Sequence, residues 1–151
     1  MPLRFRLAVI ATLLTADGTN SGPSWSVRGR LAFVHAATLV VARADGSQRT
    51  TVADRVVSAD WSPDGRRLVV VRRAADADQL GELWVLGTDG SAARRLTSGH
   101  DDLAARWSPD GRRIAFVRAG DVWTVAVDGT GARQLTASGD VGNALAWQPR
   151  R

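Results

Sequence analysis

Chemistry needs acids, bases or nucleophiles brought together, and this chain is short of the usual kinds. It has two histidines, His35 and His100, one glutamate, Glu82, and no cysteine. Without Cys, thiolate catalysis, a disulfide frame and a thiolate metal site are all closed to it. No Ser-centred elbow, Walker loop or His-Glu-x-x-His occurs. Gly129-Thr130-Gly131 lacks the third glycine of a dinucleotide loop and reads as a turn. Carboxylates are plentiful, since 14 of the 15 acidic residues are Asp. Asp64 and Asp110 recur, but each lies inside a Ser-Pro-Asp-Gly phrase, where turn chemistry accounts for it. No spacing shows the convergence of two carboxylates that acid–base catalysis requires. The expectation is a non-enzyme that needs no cofactor and no metal.

The charge balance says less than its size suggests. All 20 basic residues are Arg, the net charge is +5 and the sequence pI is near 11.4. A skew to Arg and Asp is what a GC-rich coding sequence produces, so the high pI is weak evidence for an anionic partner. Apolar residues make up 44% of the chain, enough for a packed core.

What must position any site is a repeat. Trp25, Trp61, Trp107 and Trp147 stand at one point of successive units, 36, 46 and 40 residues apart. "DWSPDGRRLVVVRR" (60–73) and "RWSPDGRRIAFVR" (106–118) are near-twins. A second phrase follows each of the first three Trp: "TLVVARADGSQRTTV" (38–52), "ELWVLGTDGSAARRLT" (82–97) and "DVWTVAVDGTGARQLT" (121–136). Recurrence at a period near 40 residues is the first thing a fold must explain.

Each unit reads as four short strands. The first ends at the Trp, and in "DDLAARW" the period of two predicts Leu103, Ala105 and Trp107 on one face. Ser-Pro-Asp-Gly then makes a hairpin of the type I turn plus bulge kind. The next strand is a continuous apolar run with charged ends, which predicts burial on both faces. Asp89-Gly90 and Asp128-Gly129 turn the chain into a short fourth strand. The prediction is an all-β fold of propeller blades, about three complete four-stranded antiparallel ones plus partial terminal strands. A β-sandwich also has regularly spaced strands, but it does not require one turn phrase at one place in successive units.

The Trp-Ser-Pro-Asp-Gly-Arg-Arg phrase, followed by "LWVLGTDG" and "RRLT", resembles the TolB-like propeller repeat, a relative of the WD repeat. "LTSGHDDLAARWSPDG" (96–111) carries the Gly-His of WD repeats, but no Trp-Asp pair ends the third strand, since Val85 follows Trp84 and Thr124 follows Trp123. The resemblance covers residues 22–147 and implies a β-propeller, with partners commonly held at the end that carries the inter-blade loops.

The repeat breaks at both ends. The first unit has Val27-Arg28 where Pro-Asp stands elsewhere, and "WQPRR" ends before a second strand. "MPLRFRLAVIATLLTA" has the basic start and apolar run of a secretory signal peptide, and is too short for a membrane span. The spacing from Leu14-Thr15 to Trp25 equals that from Leu96-Thr97 to Trp107, so the segment also reads as an outer strand of a preceding blade. Residues 1–21 are therefore a signal peptide or such a strand, and 22–151 the repeat domain. A closed ring needs at least about four blades, and an unclosed set is expected to expose its apolar end faces. A longer propeller, a ring closed by a second copy and a blade shared by the two termini are three ways to complete it.

Blade topology sorts the loops. Those between second and third strands, and between blades, fall at one end with Asp54, Asp76, Asp78, His100, Asp101, Asp102, Asp140 and Asn143. The first hairpins fall at the other, beside Arg28, Arg30, Arg66, Arg67, Arg112 and Arg113. An acidic partner-binding rim formed by Asp76, Asp78, His100, Asp101, Asp102, Asp140 and Asn143 opposes an anion-binding rim at Arg66, Arg67, Arg112 and Arg113. The bland account is that Asp and Asn populate turns and that Arg pairs are solvated strand ends. Three functions follow: a non-catalytic scaffold for a protein or peptide, the propeller part of a larger enzyme of the prolyl oligopeptidase kind, and an Arg-driven binder of anionic polymers. Nucleic acid is not the expected partner, because no aromatics interleave with the Arg pairs. A cleaved leader implies a periplasmic or secreted protein, and an uncleaved one a cytoplasmic protein.

Overall fold

A computed structural model describes residues 20–75, 81–142 and 145–148. Twelve strands form three four-stranded antiparallel sheets in chain order, and no helix occurs among the described residues. The first blade is β1 (Asn20–Trp25), β2 (Arg30–His35), β3 (Thr38–Arg43) and β4 (Thr50–Ala53). The second is β5 (Val56–Trp61), β6 (Arg67–Arg73), β7 (Gly81–Gly87) and β8 (Arg94–Arg95). The third is β9 (Asp102–Trp107), β10 (Arg113–Arg118), β11 (Asp121–Ala126) and β12 (Arg133–Gln134). The signal-peptide or outer-strand reading of residues 1–21 lies outside the described residues except at Asn20 and Ser21, which open β1.

The repeated phrase makes the same hairpin each time. In the second blade the Gly65 N–H donates to the Ser62 carbonyl (2.8 Å) and the Ser62 N–H to the Arg67 carbonyl (2.9 Å), with Gly65 at φ +65°. Ser108 to Arg113 repeats it, with Gly111 at φ +72°. The Ser hydroxyl donates to its Asp at 2.6 Å in both, and that Asp accepts from the following Arg N–H. Pro-Asp is not essential to the turn: Gly29 still donates to Ser26 (3.1 Å), and the hairpin closes one residue sooner at Arg30.

As predicted, β2, β6 and β10 each hold a run of four buried residues, so apolar side chains leave both faces. The Trp-bearing faces of the second and third blades each pack on the blade before. Trp61, Leu68 and Val70 meet Ala32, Val34, Leu39 and Val41 of the first blade. Trp107, Ile114 and Phe116 meet Val69, Val71, Leu83 and Val85 of the second. Hydrogen bonds reinforce the stacking, since the Trp61 indole donates to the Ser24 carbonyl (3.2 Å) and the Trp147 indole to that of Arg106 (3.1 Å).

Two expectations need correction. Leu103 does not share a face with Ala105 and Trp107. It pairs with Val117 whereas Arg106 pairs with Ala115, so a bulge intervenes, with Ala104 at φ +52°. One extra residue flips the alternation, a device strand periodicity alone does not foresee. The apolar faces of the end blades are not laid bare either. Leu31, Phe33 and Ala42 are 1%, 3% and 0% exposed at the first blade, and Val117 2% at the third.

Candidate functional site

The loops sort as topology dictates. At one end the Val56 N–H donates to the Ala37 carbonyl, and a Cβ added to Gly120 would lie 2.2 Å from the Gly139 carbonyl oxygen. The β2–β3 and β10–β11 hairpins therefore sit beside inter-blade loops. At the other end Arg28 donates from Nε to the Asp64 carbonyl (2.8 Å), joining the first hairpins of adjacent blades.

His100, Asp101 and Asp140 are exposed in inter-blade loops, and Asp101 also accepts from the Gly81 N–H (3.1 Å). Asp102 offers solvent nothing. It is fully buried and grips Arg118 through two bonds, Nε to Oδ1 at 2.6 Å and Nη2 to Oδ2 at 2.9 Å. Asp76, Asp78 and Asn143 lie outside the described residues. Among the basic residues, the Arg67 guanidinium stacks over the Trp107 ring at 5.0 Å and Arg113 donates to the Thr124 hydroxyl (3.3 Å). Arg66 and Arg112 stand exposed beside their turns. An open cleft of about 540 Å³ lies between the two hairpins of the first blade and adds Arg43 to Arg28 and Arg30.

Several carboxylates are committed to turns. Hydrogen bonds from a turn hydroxyl, seconded by a turn amide, hold Asp45, Asp64, Asp89 and Asp128 below the ordinary carboxylate range. The Gly139 amide does the same for Asp121, and the Arg72 guanidinium for Asp54. Asp60 is the exception. Burial pushes its carboxyl up, against the Trp107 N–H that donates to Oδ2 at 2.7 Å and the nearby charge of Arg106.

Asp60 lines a cleft of about 270 Å³ where the inner strands β1, β5 and β9 converge. Ser24, Ser58 and Arg106 line it too. The hydroxyls of Ser24 and Ser58 are buried with no hydrogen-bond partner. Arg106 turns Nη1 back to its neighbour's carbonyl, on Ala105, at 2.8 Å. The sequence reading missed this cleft, because its residues come from three units and share no motif. The one available signal is register, since Ser24, Asp60 and Arg106 each immediately precede a repeat Trp. A second missed group gathers Arg55, Arg72, Arg73 and Arg95 about Trp84, with Arg72 and Arg95 stacked 5.3 and 6.0 Å from its ring. Among the described residues no cluster of His, Asp and Glu fits a metal ion, and no helix is long and apolar enough to cross a membrane.

Solved structures that share this arrangement of sheets include propellers. TolB from Acinetobacter baumannii superposes with a TM-score of 0.67 at 18% identity, over 81% of this chain and 33% of that one. The chain is built of β-propeller blades. The propeller also matches a chain of a nidogen/laminin complex (TM-score 0.64, 17% identity, 78% of this chain and 48% of that one). An acylaminoacyl peptidase from Pyrococcus horikoshii matches as well (TM-score 0.60, 17% identity, 80% and 25%). The chain thus spans between a quarter and a half of each of these proteins. The sequence family described as the dipeptidyl peptidase IV (DPP IV) N-terminal region matches residues 78–148. No curated protein matches the chain.

Proposed function

We propose that this propeller works by binding, as a non-catalytic scaffold that holds a protein or peptide at the end carrying its inter-blade loops. The observation that carries this reading is how the carboxylates divide. Those of the hairpin end are consumed by their own turns, whereas His100, Asp101 and Asp140 present polar groups to solvent between blades. The fold's likeness to a chain found in a nidogen/laminin complex supports a protein partner. The test compares proteins crosslinked in cells to the parent, to an H100A/D101A/D140A variant and to an R66A/R112A variant. Stoichiometric capture lost only in the first variant supports the reading, and equal capture by all three refutes it.

A second reading makes the chain the propeller portion of a larger serine peptidase. The match of residues 78–148 to the DPP IV N-terminal region and the likeness to an acylaminoacyl peptidase favour it. An adjacent hydrolase-encoding reading frame whose product gains peptidase selectivity when mixed with this chain would establish it. Anionic-polymer binding through Arg66, Arg67, Arg112 and Arg113 is weaker, since Arg67 and Arg113 already have partners. It predicts a steep loss of heparin affinity with salt. We also propose residues 1–16 as a secretory leader, which would direct the protein to the cell envelope and is read from the mass of the mature chain. Closure by a second copy predicts a dimer in light scattering.

A further inference from the structure

The cleft at the convergence of β1, β5 and β9 holds polar groups that the fold itself leaves unused. Asp60 and Arg106 line it from adjacent blades, near enough for the Arg106 charge to act on Asp60 but without a direct ion pair among the described residues. The Asp60 carboxylate meets only the backbone amides of Trp107 and Trp61, and Arg106 spends one nitrogen on its neighbour's carbonyl. Two serine hydroxyls, of Ser24 and Ser58, are buried there without partners. Buried polar groups normally find hydrogen bonds, so two hydroxyls left without them beneath the cleft wall mark positions that the fold has not spent on its own bonding. A fold selected for stability alone would have closed Asp60 onto Arg106 or replaced them with apolar residues.

We infer that this axial cleft is a binding site for a small zwitterion of amino-acid type, its ammonium held by Asp60 and its carboxylate by Arg106. The argument for both charges is neutrality. One carboxylate and one guanidinium sum to zero, so a ligand with a single charge would leave one wall partly desolvated and unpaired, and a net-neutral ligand with both signs satisfies both. The volume argues for small size, since about 270 Å³ lies below the range of about 300–1,000 Å³ usual for drug-sized ligands. Val34 and Val57 supply the apolar part of the wall, and no aromatic ring offers a stacking platform for a sugar or a base. The inference is independent of the rim described above.

The fold supplies a reporter. The Trp61 indole N–H donates to the Ser24 carbonyl and the Trp107 backbone N–H to Asp60, so both proton signals sit at the cleft wall. The experiment titrates 15N-labelled protein with glycine, glycylglycine, N-acetylglycine and glycinamide, following those signals by NMR. Expected are saturable shifts with glycine or glycylglycine, weakened at least about tenfold for the two singly charged analogues, as loss of one charge-assisted contact implies. Asp60→Asn, whose amide oxygen still accepts from Trp107, and Arg106→Gln should each weaken binding by a similar factor. Should either fail to fold, the discrimination of the parent protein between the zwitterions and the two singly charged analogues carries the test. An absence of saturable shifts, equal shifts with all four probes, or unchanged binding by the folded cleft variants overturns the inference and makes the cleft a water-filled channel. H100A/D101A/D140A should bind the zwitterion like the parent, so failure at the cleft and failure at the rim are read separately.

Discussion

Asp102 tests whether a loop-end carboxylate is surface or scaffold. It is 0% exposed, and it faces Arg118 as a cross-strand partner in the β9–β10 pair. The Arg118 side chain is 14% exposed and lies 5.1 Å over both the Phe116 and the Trp123 rings. Asp102→Ala would leave that guanidinium buried against two aromatics with neither carboxylate oxygen to receive it. Removing one partner of a buried ion pair costs about 3–5 kcal/mol, a large share of the roughly 5–15 kcal/mol that holds a small domain together. Asp102→Leu combined with Arg118→Met should recover most of this, because a packed apolar pair carries no desolvation cost. The assay is urea unfolding followed by Trp fluorescence, with the denaturant slope checked for constancy so that midpoints report stability. A cost below about 1 kcal/mol for Asp102→Ala, the usual value for an exposed pair, would refute the reasoning and return Asp102 to the partner-binding rim.

Trp61→Phe should cost about 1 kcal/mol more than Trp25→Phe, because the Trp61 indole donates to Ser24 whereas that of Trp25 is buried without a partner; denaturant midpoints of the two variants decide it. Ala37 sits in the two-residue β2–β3 turn at φ +61°, where a side chain is strained, so Ala37→Gly should stabilise by about 0.5–1 kcal/mol and raise Tm by a few degrees. Stability should also fall progressively below about pH 4, because Asp45, Asp64, Asp89 and Asp128 have depressed values in the fold and contribute only while ionised. Asp60 runs the other way. Its raised value means the native state holds that proton more tightly, so its contribution is present at low pH and lost as pH rises through the elevated value. Tm measured against pH should therefore lose less on the rising side for Asp60→Asn than for the parent, and parallel profiles would show the burial to be without consequence.

Local chemistry made the blades readable. A Ser-Pro-Asp-Gly turn is specified by four adjacent residues, and the structure spends its Ser hydroxyl, Asp carboxylate and Gly φ as that chemistry dictates. The apolar runs of β6 and β10 announce burial on both faces for the same reason. Long-range pairing hid the rest. That Asp102 is buried follows from Arg118 lying opposite it, and the pairing is offset by a bulge at Ala104 that no local motif marks. Arg67 reads as a solvated strand end until the ring of Trp107, from the next blade, is placed beneath it. In each case the missing information was which residue of another strand or blade stands across the gap.

The same logic says where a repeat keeps its function. A residue that builds the blade must recur, because every blade needs it: the repeat Trp does, and so do the turn Ser and Gly. A residue that meets a ligand on the axis has no reason to recur, since each blade faces a different part of one ligand. The position just before the Trp behaves this way, reading Ser24, Asp60 and Arg106 in successive blades, although register places all three alike, opposite Ala32, Val69 and Ala115. Its backbone is still bound to the architecture, for the carbonyls of Ser24 and Arg106 accept the Trp indoles of the following units. Main chain and side chain thus divide the work at one position. The carbonyl stacks the blades in the same way wherever an indole reaches it, and this leaves the side chain able to differ from blade to blade, although that of Asp60 also holds the Trp107 N–H. A hydroxyl, a carboxylate and a guanidinium converging on one cleft are what such a position yields when three blades contribute one group each.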